Sequence, residues 1–410
     1  MFIGALIRAK RKEFGWSQSY LCKGICVSSH LSKIENGEFE PTDDIKRLIL
    51  ERLNISEQFD EDYIEKYQKE INEFHRLFFF FYKKEASEKV SKIKKQGSKL
   101  KYSPLHLDYY LVCYADYVIN NNHNCKKAKD TCLYLETHYD LMSDKHQYFF
   151  EFYKTFIETS ESNQLEKLSK LDGNGQVVFR LSRRYEAKGM FYKALESVEV
   201  AKDKFLMSGN LRGLFLSLLF KGSYLFNMAS YEDAIRVYQA IDKLVNSSKS
   251  SDPYINSFKY FALSNIADCY LKLNDLEQMK DYALLAIDSE NIDDDKIYGV
   301  FPYILMCHYC LSKDNYSEAE KYLRQGENQV TLSQTQDRSY EIYQLKKYRM
   351  MIEDKDYSKK ASYLELLLEM KESMISNQLT HLVHAVNKEL ETYYINHRQY
   401  KKALDVTKKI

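Results

Sequence analysis

Apolar residues recur at helical spacing through the first part of the chain. The spacing from Ile3 to Phe14 predicts a first helix, and Gly15 follows as its stop. Ser17 is a candidate N-cap for a second helix, which Gly24 closes. The side chains predicted to face inward from these two helices are Ile3, Leu6, Ile7, Phe14, Tyr20 and Leu21.

Two further helices follow the same spacing. The third begins near Val27 or Ser28, keeps Leu31 and Ile34 inside and ends at Asn36 and Gly37, residue types that tolerate the left-handed conformation. The fourth starts after Pro41 and Thr42, with Ile45, Leu48, Ile49 and Leu53 on its inner face. The second and third helices, joined by a tight turn, predict a helix-turn-helix. The third is short and polar, so we expect a partner outside the protein to contact it.

From about residue 103 onward a short motif recurs, an aromatic residue followed three positions later by Ala. Its copies lie near 40 residues apart, and an apolar, aromatic-rich helix precedes each. The clear copies are FYKA (191–194), YEDA (231–234), YSEA (316–319) and YKKA (400–403), and the degenerate ones are CKKA (125–128), LEQM (276–279) and YSKK (357–360). The pattern predicts a series of stacked helix pairs that share one continuous core.

Composition supports a chain built of helices. Four Pro and 13 Gly in 410 residues leave few breaks between helices, and the sequence carries no strand pattern. We therefore predict an all-α fold, with an N-terminal helix-turn-helix domain followed by an α-solenoid. The predicted domains are residues 1–60, a helical, Lys-rich linker at 61–102, and a repeat domain at 103–410.

Charge and cysteine usage narrow the function. Lys and Arg number 60 against 59 Asp and Glu, so nucleic-acid binding would depend on local charge. Residues 1–33 hold six Lys and Arg against one acid. Segment 83–101 holds eight Lys and two Glu, and is either a solvated helix face or a source of extra phosphate contacts.

The eight scattered Cys predict reduced thiols, and the longest apolar run, 77–82, is too short for a membrane span. A cytoplasmic protein without membrane association is expected.

Catalytic and metal-binding patterns are absent from the sequence. It contains no Gly-rich phosphate loop, no G-x-S-x-G and no H-E-x-x-H. Cys307 and Cys310 have C-x-x-C spacing, but zinc needs a second ligand pair, so we interpret both as small core residues. The sequence therefore predicts no enzyme, no cofactor and no metal.

The segment GWSQSYLCKGICVSSHLSKIENGEFEPT resembles the Cro and phage-repressor type of helix-turn-helix. The resemblance implies that the N-terminal residues of the third helix reach base edges in the major groove while flanking residues hold phosphates. It also implies that Arg11 and Glu35 pair across the first and third helices. Gln18 could instead be a capping-region residue, and Lys33 a solvated lysine. The implied DNA-binding residues are Gln18, Ser28, Ser29, His30 and Lys33.

The repeated segment resembles tetratricopeptide repeats, with longer units than their nominal 34 or so residues. Such arrays bind ligands on the face lined by the first helix of each pair. Polar side chains there would hold the backbone and carboxylates of an extended peptide, although each could also be an ordinary solvated residue. The residues projected onto this face are Arg183, Ser223, Asn227, Asp268, Lys272, His308 and Arg349.

Together the two parts resemble the peptide-pheromone-responsive regulators of Gram-positive bacteria, the group containing Rgg, PlcR and PrgX. The resemblance implies a homodimer that binds a palindromic operator in double-stranded DNA under control of a short signalling peptide. Two alternatives remain open at this point. The repeats could dock a protein partner such as an antirepressor, or the chain could be a regulatory or phosphatase repeat protein of the Rap kind. The operator, the peptide and the direction of regulation are not set by these patterns.

Overall fold

A computed structural model describes residues 3–55, 61–120, 125–157, 162–171, 174–248, 250–289, 299–332, 339–376 and 380–407. All regular secondary structure in these ranges is helical, which confirms the predicted all-α fold. The chain forms two compact units, residues 1–177 and residues 178–410. The predicted boundaries at residues 60 and 102 both lie inside the first unit.

Four helices build the first 55 residues, here called the head. They are α1 (Gly4–Glu13), α2 (Gln18–Cys22), α3 (Ser28–Asn36) and α4 (Asp43–Arg52). The head has its own core of aliphatic side chains, and Trp16, half-buried, packs against it. The core residues are Ile3, Leu6, Ile7, Leu21, Cys22, Leu31, Ile34, Ile49, Leu50, Leu53 and Ile55.

Three inward predictions for the head were wrong. Phe14, Tyr20 and Leu48 are 42%, 58% and 40% exposed. Phe14 and Tyr20 lie on either side of Trp16, with ring centroids 4.9 and 5.0 Å away. Phe14 follows the last residue of α1 and Tyr20 lies on the exposed side of α2, so both rings pack against the half-buried indole and not in the core.

The rest of the first unit is a bundle of longer helices. Helix α5 (Glu61–Phe79) carries the first part of the apolar run 77–82, and its Phe78 and Phe79 pack against Phe152 and Phe149 of α10 (Asp144–Ile157). The Lys-rich segment is helical, with Lys89 and Lys94 ion-paired to Glu70 and Asp116 at 2.7 and 2.6 Å. The helices are α5 (Glu61–Phe79), α6 (Lys83–Lys94), α7 (Gly97–Leu100), α8 (His106–Ile119), α9 (Lys126–Thr137), α10 (Asp144–Ile157) and α11 (Ser162–Leu171).

From Gly175 onward the helices form consecutive pairs, each packed on the next, which confirms the helical repeat solenoid. We call the first helix of a pair the A helix and the second the B helix. The A helices are α12 (Gly175–Ala187), α14 (Leu211–Asn227), α16 (Pro253–Lys272), α18 (Phe301–Ser312), α20 (Ser339–Glu353) and α22 (Thr380–Asn396). The B helices are α13 (Phe191–Met207), α15 (Tyr231–Ser248), α17 (Leu276–Asp288), α19 (Tyr316–Leu332), α21 (Ala361–Ser376) and α23 (Tyr400–Thr407).

The recurring motif marks the start of the B helix in five pairs. Its fourth residue is buried in each, as Ala194, Ala234, Met279, Ala319 or Ala403. A small or flexible side chain there lets the B helix approach its A helix closely. The copy at 357–360 differs, since residues Tyr357–Lys359 form a 3-10 turn and α21 begins after it.

In each of these five A–B turns, the residue two positions before the motif has a left-handed backbone conformation. It is Gly189 in the first pair, but the others use non-glycine residues with φ between 54° and 62°. These are Ala229, Asn274, Asp314 and Arg398. The backbone reversal is therefore the same in all five pairs even though only one of them has the residue best suited to it.

We predict that Ala229→Gly stabilises the chain by about 0.5–1 kcal/mol, because Ala at φ 58° carries left-handed strain that Gly lacks. The matched control is Ala194→Gly, in a buried helical position, which should destabilise by about 1 kcal/mol or more. Urea unfolding followed by circular dichroism measures both. Destabilisation by Ala229→Gly would contradict the left-handed turn.

Candidate functional site

Two polar contacts set the helix-turn-helix of the head. The Ser17 hydroxyl accepts a hydrogen bond from the Tyr20 backbone N–H at 3.1 Å and caps α2. At the other end of α2, Arg52 Nη1 donates to the carbonyl oxygens of Leu21 and Lys23 at 2.8 and 2.6 Å. Arg52 satisfies carbonyls that the helix end leaves open, and so holds the turn that leads into α3. Sequence analysis did not identify this role.

A buried ion pair joins α1 to α3. Arg11 donates from Nε and Nη2 to the two carboxylate oxygens of Glu35 at 2.6 and 2.8 Å, and from Nη1 to the Trp16 carbonyl at 2.7 Å. Glu35 is 1% exposed. Gln18 donates from Nε2 to the same carboxylate at 2.8 Å. These contacts tie the three helices of the motif together, and they use one of the two N–H groups of Gln18.

The N-terminal half of α3 presents the remaining predicted residues. Ser28, Ser29 and Lys33 are exposed, and their side chains have no partner among the described residues. His30 is half-buried, with its ring centroid 4.4 Å from that of Phe39. The inner side of α3 is closed by Leu31, Ile34 and Glu35, so its polar outer side is free for an external partner.

In the second unit, three of the projected residues belong to one polar strip along the A helices. Burial lowers the pKa of His308, and the charges of Lys347 and Lys272 lower it further. His308 Nδ1 lies 3.3 Å from the Tyr348 hydroxyl. Burial raises the pKa of Asp268 to about 6, and only Lys272 opposes the shift. A carboxyl group with little compensation in such a place is a functional-site candidate.

The strip continues onto residues that sequence analysis missed. Lys347 Nζ donates to both carboxylate oxygens of Glu389 at 2.8 and 3.0 Å, and the Tyr363 hydroxyl donates to the same group at 2.7 Å. Burial, and then the charges of Glu389 and Asp268, raise the pKa of the Tyr340 hydroxyl to about 12. We call Asp268, Lys272, His308, Tyr340, Lys347 and Glu389 the polar strip.

The other projected residues lie apart from the polar strip. Arg349 is two positions from Lys347, and its guanidinium contacts Glu327 of α19 at 2.6 Å and Glu320 at 3.4 Å. Arg183 stacks on Phe220 at 4.0 Å and pairs with Glu186. Asn227 is exposed and donates to the Ser223 carbonyl one turn earlier at 2.9 Å, while Ser223 itself is half-buried.

The two cysteines with C-x-x-C spacing are core residues. Cys307 and Cys310 are buried, and burial raises the pKa of both, that of Cys307 to about 12. All eight cysteines are free thiols. Within the described ranges, no group of three His, Cys, Asp or Glu side chains could hold a metal ion. None of the described helices is both long and apolar enough to span a membrane.

Comparisons with known proteins agree with this division. A helix-turn-helix family profile matches residues 7–59, which include α2, α3, α4 and α1 from its fourth residue onward. Curated protein sequences give no match. The chain thus contains a helix-turn-helix domain, and it continues into a repeat array that the profile does not cover.

Solved structures match most of the chain. The apo form of the quorum sensor NprR from B. thuringiensis covers 84% of this chain and 97% of its own length, at 15% identity and a TM-score of 0.61. Apo RapI covers 83% and 97%, at 13% identity and a TM-score of 0.62. NprR in complex with its cognate peptide NprX covers 83% and 99%, at 14% identity and a TM-score of 0.57. At such identities the likeness shows the fold, a helical repeat array of the NprR and Rap type.

We predict that Glu35→Leu destabilises the head by about 3 kcal/mol or more, because it leaves the Arg11 guanidinium buried without its carboxylate. The double variant Arg11→Met with Glu35→Leu should recover most of that loss, since it removes both charges. Hydrogen exchange of α1–α3 amides in the full-length chain measures the difference. Equal destabilisation in the two variants would contradict a cost that arises from the unpaired charge.

We predict that Asp268→Asn stabilises the second unit by about 1–3 kcal/mol above pH 7. The pKa of Asp268 in the folded chain is about 6, above its ordinary value of 3.8. The stability that the protonated carboxyl group contributes is therefore fully present below pH 3.8 and is lost as the pH rises through 6. The amide has a similar shape and no charge, so its advantage should vanish near pH 4. Unfolding curves across this pH range test the prediction, and a pH-independent difference would contradict it.

Proposed function

We propose that the chain is a transcriptional regulator that binds operator DNA through its head and is controlled by a short signalling peptide bound to its second unit. The observation that carries the DNA half is the outer side of α3. Its exposed Ser28, Ser29 and Lys33 lack partners among the described residues, and a buried ion pair fixes the helix behind them. We propose a cytoplasmic location for this protein, because bacterial DNA lies in the cytoplasm.

The side chains of α3 are suited to base-sequence recognition of modest specificity. In the proposed complex its N-terminal turn enters the major groove, where Ser28, Ser29 and His30 contact base edges. None of these three forms the bidentate contact by which Arg selects guanine. Lys33 meets the backbone or a guanine, and the second amide N–H of Gln18 reaches a phosphate while the first stays on Glu35.

A single head of this size contacts one half-site. Specific binding by helix-turn-helix proteins normally uses two heads about one DNA turn apart, roughly 34 Å. We therefore propose a homodimer on a palindromic operator, with dimerisation through the repeats and residues 61–102 acting as a helical linker.

The polar strip supports the peptide half of the proposal. NprR, whose fold resembles this one, has been solved with a cognate peptide. An extended peptide needs hydrogen-bonding groups for its backbone and charges for its termini, and Asp268, Lys272 and His308 supply both kinds. Asn227, Ser223, Arg183 and Arg349 remain proposed contacts. Regulation then follows from linkage, because a peptide that prefers one arrangement of the repeats shifts operator affinity by that preference.

The fold is also similar to that of RapI, and a second proposal is that the chain is a regulatory repeat protein of the Rap kind. DNA binding by the head distinguishes these two functions. A chain whose α3 variants leave DNA binding unchanged would act through its repeats alone.

We predict that Lys33→Ala weakens binding to all operator variants about equally and lowers the salt dependence by roughly one phosphate contact. Gln18→Ala should act in the same way. Ser29→Ala combined with His30→Ala should instead reduce the preference for the selected site over its mismatches. Operators are selected from random duplexes with the full-length protein, and affinities are measured at fixed salt. Lys401→Ala, an exposed lysine of α23, is the control. Unchanged affinity and preference in every α3 variant would remove the head from the DNA.

We predict that Lys272→Ala, His308→Ala and Asn227→Ala each weaken peptide binding by about 1–3 kcal/mol, the scale of a lost hydrogen bond that leaves its partner unsatisfied. Arg349→Ala should have a smaller effect, because Arg349 must first leave Glu327. The peptide is found by a thermal-shift screen of short secreted peptides from the same genome, and affinities are measured by calorimetry. Operator binding without peptide should stay unchanged. Wild-type affinity in all four variants would show that the peptide does not contact these residues, and failure of every peptide to bind would favour a protein partner.

A further inference from the structure

The Lys-rich segment that follows α5 contains both paired and unpaired lysines. Its second half, residues 89–101, holds six Lys and no acid. Two of these lysines are neutralised, Lys89 by Glu70 and Lys94 by Asp116. The other four are exposed and have no carboxylate partner among the described residues. They are Lys92, Lys95, Lys99 and Lys101.

The packing of α6 and α7 turns most of these lysines outward. Val90, Ile93 and Leu100 are buried. Gly97 lies so close to α8 that a Cβ atom there would be 2.4 Å from the Tyr109 hydroxyl oxygen. Residues three and four positions apart share one side of a helix, so the charges on the outer side act together. These charges belong to Lys92, Lys95 and Lys99.

The end of the segment adjoins α1 of the head. Tyr102 contacts Lys10, whose ammonium nitrogen lies 3.9 Å from the ring centroid and which is 8% exposed. The Lys101 ammonium nitrogen lies 5.7 Å from the ring centroid of Tyr110. Burial, and then the charge of Glu13, raise the pKa of Tyr110 to about 12. Lys101 is therefore a neighbour of the last turn of α1.

The same end of α1 lies beside the proposed DNA-binding side of the head. Arg11, next to Lys10 in the sequence, donates to the Glu35 carboxylate that also accepts from Gln18, a proposed phosphate contact. The Trp16 N–H donates to the Arg11 carbonyl at 3.0 Å, so the chain reverses tightly between α1 and α2. Basic side chains at the end of α7 therefore lie next to the proposed path of the DNA backbone.

The acidic groups nearby leave this surface positive. Glu13 is paired with Lys10 at 2.7 Å. Glu61 and Asp62, at the start of α5, are exposed and pair with none of the four lysines in the described structure. The two acids of α6 lie in its first half, beside two further lysines. A duplex carries one negative charge per about 1.7 Å of its axis, so its backbone complements such a surface.

We propose that Lys95, Lys99 and Lys101, here called the flanking patch, bind phosphates of the DNA backbone beside the half-site that the head recognises. The inference rests on the proposed DNA binding and extends it along the duplex. In the complex α3 contacts the bases, while the flanking patch adds affinity without reading sequence. Lysine suits this role, because a point charge on a flexible stem meets a phosphate without a fixed geometry.

The test uses the full-length protein and two duplexes that carry the same selected operator. One ends at the last base pair of the operator, and the other extends about ten base pairs beyond it on each side. We expect the wild-type protein to bind the extended duplex about tenfold more tightly at fixed salt. The variant with Lys95→Gln, Lys99→Gln and Lys101→Gln should lose most of this gain, and its salt slope on the extended duplex should fall by about 2–3.

Two control variants separate a phosphate contact from a change in the head. Arg at the same three positions keeps the charge and should retain the gain. A charge-matched control removes three exposed lysines of the second unit and should also retain it. This control carries Lys193→Gln, Lys243→Gln and Lys401→Gln.

The outcomes distinguish this proposal from DNA binding by the head. No gain in the wild type, an undiminished gain in the flanking-patch variant, or an equal loss in the charge-matched control would overturn the flanking contact. If Lys33→Ala weakens binding while the flanking-patch variant does not, the head still binds DNA and only the flanking contact fails. If neither variant weakens binding, both proposals fail.

Discussion

The helix-turn-helix depends on the buried contact between Arg11 and Glu35. A charge pair with one member 1% exposed contributes little net stability, because desolvation offsets its Coulomb attraction. Its contribution is to fix how the helices are oriented relative to one another. Two parallel hydrogen bonds fix the angle between α1 and α3, and the third N–H, on the Trp16 carbonyl, fixes the start of α2. The exposed side of α3 therefore has one orientation, which is the condition for placing Ser29 and Lys33 on a rigid partner such as a duplex.

In the second unit, the helix pairs repeat with similar geometry for a different reason. Five of the six A–B turns reverse through one left-handed residue, and in these pairs a buried small or flexible side chain at the fourth position of the B helix sets how closely the two helices pack. Because the reversal is the same in every turn of this kind, successive A helices present equivalent faces. That repetition brings Asp268, His308 and Lys347 from three different helices into one polar strip, although they are about 40 residues apart in the sequence.

Polar groups with few compensating partners lie in both units. Asp268 is desolvated with one lysine to oppose the effect, and His106 has no hydrogen-bond partner in the described structure. Each lowers the stability of the chain. Asp268 lies in the polar strip, where a bound ligand can complete it. The packed cores nearby contain aliphatic and aromatic side chains that need no such completion.

The sequence by itself determined which segments are helical, where the head lies and where five of the six B helices begin, because apolar spacing, caps and turn residues act within a few positions of one another. It also indicated that Arg11 and Glu35 belong together, through the resemblance of the whole motif. Only the tertiary structure decided which side of a helix meets which neighbour. Lys347 and Arg349 are two residues apart, or about 200° around a helix, so one joins Glu389 in the polar strip and the other joins Glu327. Tyr20 is outside and Gln18 contacts Glu35 for the same reason, since a contact depends on the position of a second helix that local spacing does not specify.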